Sequence, residues 1–119
     1  MKALSVKSPW APLIAAGRKT VELRSRPTNH RGAVLIVTCL RADAAVLAAW
    51  PDVDAPRGYA LCVVDIVDCR PATAADADAA CCEPLPGAWT WVLANPRPVA
   101  AFPVRGQLGL YEIVMSTAA

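Results

Sequence analysis

Histidine is nearly absent from this sequence, and its cysteines form no metal-binding pattern. The 119 residues include one histidine, His30, and five cysteines without a C-x-x-C spacing. Structural zinc sites need clustered Cys and His ligands, and disulfide frameworks normally use an even number of cysteines. We therefore expect no metal, no other cofactor and no disulfide scaffold. Unpaired thiols are typical of a reducing cytoplasm, which is the location we expect.

Long apolar runs are also lacking. The first residues contain no apolar signal-peptide core, and the longest nearly apolar run, residues 33–40, is far shorter than the roughly 20 residues of a membrane helix. There is no internal repeat and no glycine-rich phosphate loop of either common kind. We expect no membrane partner and one domain that spans residues 1–119.

The net charge of +2 conceals an uneven distribution of charge along the chain. Residues 1–42 carry eight basic side chains and one acid, Glu22, whereas residues 43–119 carry four basic side chains and nine acids. A basic N-terminal part favours an anionic ligand, and nucleic acid is the obvious candidate. The alternative is a solvated basic face without a ligand, and charge alone does not separate the two.

Short strand patterns separated by Gly and Pro turns dominate the chain. The predicted strands are residues 3–6, 20–24, 33–40, 59–69, 89–93, and Val104 with 108–114. Pro96 and Pro98 argue against a central strand after residue 93, because proline lacks the backbone N–H that a ladder needs.

Two helices are predicted between these strands. We expect Ser8 to cap the first, with Pro9 at its first position and Gly17 after its end. The second covers residues 42–50, with Asp43 near its start, and residues 71–86 form a connection with about one helical turn. This order predicts an α+β domain built on a closed or nearly closed sheet.

The most informative segment is Gly-Arg-Lys-Thr-Val-Glu-Leu-Arg, residues 17–24. In a strand, alternate residues share a face, so Glu22 and Arg24 lie together, with Lys19 just before them. Such a group could bind a phosphate or a base edge. The alternative is an exposed ion-pair strip, which contributes about 0–1 kcal/mol to stability.

Three other features each have a functional and a structural interpretation. Trp89 and Trp91 could stack on bases. We favour the structural interpretation, because a chain with only seven aromatic residues needs them in its core. Adjacent Cys81 and Cys82 could be redox-active, or simply small buried side chains, which we favour. His30 could act as a base, but a lone histidine in a turn is more often exposed to solvent.

The motif Gly17-x-Lys19-x-x-Glu22-x-Arg24 resembles that of the ASCH (activating-signal-cointegrator homology) domain, a relative of the PUA domains. Flanking segments extend the resemblance over nearly the whole chain: Ser8-Pro9-Trp10-Ala11, Pro27-x-x-x-Arg31-Gly32, Pro56-Arg57-Gly58, Trp89-Thr90-Trp91, Asn95-Pro96-Arg97-Pro98 and Val104-x-Gly106-x-x-Gly109-Leu110-Tyr111.

This resemblance implies a PUA-like small β-barrel with flanking short helices and a cationic cleft. The cleft would bind RNA, or a nucleotide or modified nucleoside. By similarity, the ligand-binding residues are Trp10, Lys19, Glu22 and Arg24, with Arg26, Arg31 and Arg57 as further contributors.

Some proteins that look like this chain are enzymes. They include small amidohydrolases that act on N4-acylated cytidine, and ribonucleases. In the amidohydrolase pattern the turn of residues 17–20 matches, but Glu22 stands where that pattern has its catalytic threonine, and a later glutamate has no clear match. Glu83 is not placed by the sequence.

If the chain is a hydrolase, Lys19 would act as base, Glu22 would move protons and Arg24 would stabilise developing negative charge. That mechanism requires Lys19 to be shielded from water. A protein-interaction role is the remaining alternative, and it is favoured if side chains fill the cleft.

Overall fold

The computed structural model describes residues 1–115 and contains one mixed six-stranded sheet with three short helices. The elements are β1 (Lys2–Ser8), α1 (Trp10–Ala15), β2 (Val21–Arg24), β3 (Gly32–Ala42), α2 (Ala44–Leu47), β4 (Ala60–Pro71), one 3-10 turn (Ala74–Asp76), α3 (Ala77–Ala80), β5 (Trp89–Pro98) and β6 (Leu110–Glu112). The strand order is β2-β5-β4-β3-β1-β6. The β1–β3 pair is parallel, and the other pairs are antiparallel. The predicted α+β class is therefore confirmed.

Closure of this sheet into a barrel is not confirmed. The two end strands, β2 and β6, have four and three residues, and within residues 1–115 they do not pair with each other. A cavity of about 620 Å³ is lined by Arg24 at the end of β2 and by Leu110 at the start of β6. Because β2 and β6 do not pair with each other, the sheet remains open.

The central strand β3 is buried on both faces of the sheet. Val34 and Ile36 pack into one apolar cluster, which also contains residues of α1, and Leu35 and Val37 pack into a second cluster. A strand that is covered on both faces has a continuous apolar pattern instead of an alternating one. The β-branched run of residues 33–40 therefore predicts this strand well.

Ser8 does not cap α1, so that prediction is wrong. It pairs with Ala42 of β3 and extends β1 by one residue, and the helix begins at Trp10 without a side-chain cap. The buried Ser8 hydroxyl instead accepts a hydrogen bond from Arg57 Nη1 at 3.3 Å. Tertiary pairing of β1 thus overrides the local capping preference.

Asp43 does cap α2, accepting a hydrogen bond from the Val46 N–H at 3.3 Å. The helix is shorter than the predicted residues 42–50, because β3 continues to Ala42 and the backbone tightens after Leu47. In that last part, the Trp50 N–H donates to the Leu47 carbonyl at 3.0 Å, an i→i−3 bond.

The predicted strand of residues 89–93 is too short, but the prediction that no central strand follows residue 93 is confirmed. Strand β5 continues to Pro98 and pairs with β4 at Cys62 and Val63. Strand β2 pairs with β5 no further than Val92. The outer edge of β5 therefore has no partner strand at the prolines, where a missing N–H has little effect.

The last strand is also shorter than predicted, since β6 covers Leu110–Glu112 and Leu108 is almost fully exposed. None of the helices in residues 1–115 is long and apolar enough to cross a membrane.

Candidate ligand-binding pocket

A glycine turn after α1 directs Lys19 into the molecule. Gly17 has a φ of +75°, a left-handed conformation that glycine adopts without steric cost. After it, the N–H groups of Arg18 and Lys19 both donate to the Leu13 carbonyl, at 3.0 and 3.1 Å. The next N–H, of Thr20, donates at 2.9 Å to Ala79 of α3. The chain is thus held between two helices before β2 begins.

Lys19 is buried, with a side chain 2% exposed. Its Nζ donates to the Ala80 carbonyl at 2.6 Å, lies 3.6 Å from Glu22 Oε1, and is 5.0 Å from the centroid of the Trp10 ring. A carbonyl oxygen, a carboxylate and an aromatic face all attract a cation. These three contacts therefore hold the Lys19 side chain in one position.

Glu22 and Arg24 lie on one face of β2, as strand alternation predicts. Arg24 Nη1 donates to Glu22 Oε2 at 3.3 Å, and the Arg24 Cζ atom lies 5.8 Å from the Trp91 ring centroid. The Glu22 side chain is 7% exposed, so the alternative of an exposed ion-pair strip is wrong. Burying charged groups costs free energy even when they are paired, so buried ion pairs often contribute little net stability. Stabilisation of the fold alone therefore does not explain the burial of Lys19 and Glu22.

These side chains line a pocket of about 260 Å³. The lining residues are Ser5, Val6, Lys7, Trp10, Lys19, Glu22, Leu23, Arg24, Cys39 and Cys82. Burial raises the pKa of the Cys39 and Cys82 thiols, so both are protonated at neutral pH. The pocket thus presents cations, one carboxylate and neutral thiols.

The remaining predicted ligand residues lie outside this pocket. Arg26 lines the neighbouring cavity of about 620 Å³ beside the end of β2, which shares only Arg24 with the pocket. Arg31 is exposed, and its Nη1 donates to the Thr28 and His30 carbonyls at 3.0 Å. His30 is half-buried, with its Nε2 at 3.0 Å from the Ala33 carbonyl, and does not line the pocket.

Arg57 lines a neighbouring groove of about 770 Å³, which shares Ser5, Lys7 and Cys39 with the pocket. Its Nη1 forms an ion pair with Asp54 and donates to the Ala55 carbonyl at 2.8 Å and to Ser8 Oγ at 3.3 Å. These contacts organise the loop before β4.

Lys7, Cys39 and Cys82 are among the pocket residues that sequence reasoning missed. Lys7 had a signal, because it alternates along β1 with buried Val6 and so points away from that cluster. Cys82 follows α3 in a segment whose sequence has no regular hydrophobic pattern. Its position in the pocket depends on tertiary packing, so the sequence carried no signal for it. Cys81, its neighbour, has its Sγ 3.6 Å from the Arg18 carbonyl.

The tryptophans of β5 belong to the core, as we favoured. Trp91 is 5% exposed, Trp89 packs against the same cluster, and Trp91 Nε1 donates to the Arg26 carbonyl at 2.9 Å. In the part of the chain that the structure describes, no three His, Cys, Asp or Glu side chains are grouped to hold a metal ion.

The fold is that of a small α+β domain, and its motif residues line one pocket. The sequence model of the ASCH domain matches residues 4–102. The chain therefore belongs to the ASCH domain family, a PUA-like family generally linked to RNA binding.

Solved structures agree with this assignment. An ASCH protein from Zymomonas mobilis superimposes with a TM-score of 0.69 at 14% identity, covering 94% of this chain and 86% of that chain. Two point mutants of that protein each give a TM-score of 0.64, at 14% and 13% identity, with 94% of this chain and 88% and 87% of theirs covered. At such identities the likeness shows the fold alone. No curated protein matches the sequence significantly.

Proposed function

We propose that this protein binds RNA, or a modified nucleoside, by seating one base in the pocket around Lys19. One observation carries the proposal: Trp10, Lys19, Glu22 and Arg24, which the family motif predicts to act together, converge on one pocket of about 260 Å³. The family's general link to RNA binding supports the same ligand class.

The pocket matches the chemistry of a base edge. Nucleobases combine exocyclic amino donors with ring nitrogen and carbonyl acceptors. Each Glu22 oxygen keeps a free lone pair after its contact with Lys19 or Arg24, so the carboxylate can accept from an amino group. Arg24 has donors left for a carbonyl or ring nitrogen, and Trp10 supplies an apolar wall.

Binding measurements on purified protein test this proposal. We would titrate cytidine, an N4-acylated cytidine and a short single-stranded RNA, using calorimetry. Arg24 is 27% exposed, so Arg24→Gln removes a charged donor without leaving a cavity. We expect affinity to fall about 10- to 100-fold, the usual effect of a lost hydrogen bond to a charged group at about 1.5–3 kcal/mol.

A matched control is Arg97→Gln, which makes the same chemical change on the exposed part of β5, where Arg97 pairs with Asp65. Affinity should be unchanged in this variant. Equal affinity of wild type and Arg24→Gln for every ligand, or absence of binding by wild type, contradicts the proposed pocket.

Hydrolysis of an acylated cytidine is a second candidate for the same site, and RNA cleavage is a third. The burial of Lys19 favours them, because a lysine base must be shielded from water. The hydrogen bond that Nζ donates to the Ala80 carbonyl opposes them, because it ties Nζ to the backbone at the end of α3. Turnover in the same titrations that Lys19→Ala abolishes would establish an enzyme, whereas binding without turnover supports a binding module.

We further propose a cytoplasmic location and a single ASCH domain over residues 1–119. All five cysteines are free thiols, which is typical of reducing compartments.

A further inference from the structure

The groove beside the pocket is basic and has no acidic residue in its lining. Its four charged side chains are Lys7, Arg41, Arg57 and Arg105. Groove and pocket are adjacent, because Ser5, Lys7 and Cys39 line both. Lys7 lies at the junction.

Three of these four cations are available to a ligand. Arg57 is paired with Asp54. Lys7, Arg41 and Arg105 are exposed and have no carboxylate within 4 Å among residues 1–115. Unpaired like charges repel each other, so their concentration along one groove favours a ligand that carries several negative charges.

The walls between these cations are apolar. Leu40 is 81% exposed and Leu108 is 98% exposed, and Tyr59 also lines the groove. A surface of alternating cations and apolar or aromatic side chains suits a strand of nucleic acid, whose phosphates need cations and whose sugars and bases need apolar contacts.

We propose that the groove binds the phosphates of nucleotides adjacent to the base in the pocket, so that the ligand is a single strand of RNA and not a free nucleoside. This inference rests on the proposed function. A base that enters a pocket of about 260 Å³ cannot remain paired in a helix, and a single strand offers such a base without the cost of breaking a base pair.

Salt dependence tests the inference directly. Each neutralised phosphate contributes about −0.7 to the slope of log affinity against log salt for a single strand. Three cations predict a slope of about −2, so affinity for a short RNA should fall roughly 20-fold between 50 and 200 mM salt. Affinity for the matching nucleoside should change little over the same range.

The double variant Arg41→Gln/Arg105→Gln leaves the pocket intact, because neither residue lines it. We expect its RNA affinity to fall only about 3-fold over the same salt range, because one of the three cations remains. Its nucleoside affinity should equal that of wild type. Arg97→Gln, which lies outside both cavities, should keep the wild-type slope.

An unchanged salt slope in the double variant, or equal RNA and nucleoside affinities in wild type, would overturn the groove while leaving the pocket valid. Conversely, RNA binding that depends on the groove but not on Arg24 would leave the groove valid and refute the pocket.

Discussion

The carboxylate of Asp76 joins β4, the turn at Thr73 and β5 at the start of α3, and its removal should weaken both the fold and the segment that leads to the pocket. It accepts hydrogen bonds from Arg70 Nη1 and Nη2 at 3.0 and 2.7 Å, from the Thr73 N–H at 2.9 Å and from Thr90 Oγ1 at 3.1 Å. Asp76 directly precedes α3, whose last residue, Ala80, accepts from Lys19. We expect Asp76→Ala to lower both the free energy of unfolding and ligand affinity.

The magnitude follows from the groups that lose a partner. Thr90 is fully buried, and an orphaned buried hydroxyl costs about 1–3 kcal/mol. Loss of the cap at Thr73 costs about 1 kcal/mol, and loss of the half-exposed Arg70 pair costs about 0–1 kcal/mol. The sum is about 3 kcal/mol, which for a chain of this length lowers Tm by about 10 °C.

Urea and thermal unfolding, followed by circular dichroism, measure this effect. The double variant Asp76→Ala/Thr90→Val should be less destabilised than the sum of its single variants, because it leaves no orphaned hydroxyl. A Tm within about 2 °C of wild type for Asp76→Ala, or strict additivity in the double variant, would refute the reasoning.

Acid should weaken the same network. The Arg70 guanidinium, with the Thr73 N–H and the Thr90 hydroxyl, holds the pKa of Asp76 far below its usual range. A depressed folded-state pKa adds stability above the unfolded-state value of about 4, and this stability is lost as pH falls toward the folded-state value. The free energy of unfolding should therefore depend less steeply on pH below about 4 in Asp76→Asn than in wild type.

Two further predictions concern the backbone and a core thiol. Gly17→Ala should lower Tm by about 4 °C, because alanine in the left-handed region costs about 1 kcal/mol. Its added Cβ would lie an ordinary 3.8 Å from Pro96 Cγ, so an unchanged Tm in thermal unfolding would show that the turn carries no strain. Burial raises the pKa of Cys62 to about 11. Iodoacetamide at pH 8 should therefore leave Cys62 unmodified in native protein and modify it in urea, as read by peptide mass spectrometry, and equal labelling in both states would contradict this burial.

Local patterns predicted the parts of the fold that depend on local chemistry. The run of residues 33–40 predicted β3, and Asp43 predicted the start of α2. The continuation of β5 through Pro96 was not predictable in this way. Proline is tolerated there because no strand pairs with the outer edge of β5 at that point, and this depends on where β2 begins. Ser8 failed as a cap for a similar reason, since its pairing with β3 is a long-range contact.

The site shows the same division. The alternation of residues 20–24 placed Glu22 and Arg24 on one face, and the structure agrees. The burial of Lys19 depends on the Ala80 carbonyl, which is 61 residues away in the chain. Arg26 and Arg31 share the motif's neighbourhood in sequence, but the turn after β2 carries them out of the pocket.

The walls of the pocket come from β1, α1, the turn after α1, β2, β3 and the segment after α3, so no single hairpin or helix can form it. Local opening of any one of these elements would dismantle the site. A ligand therefore binds the complete fold and not its partly folded forms, and by mass action it stabilises the whole sheet by about 2.7 kcal/mol at a concentration 100 times its Kd. Ligand bound in one small pocket thus stabilises the whole folded domain. Resistance to unfolding and to proteolysis should therefore increase with the concentration of ligand.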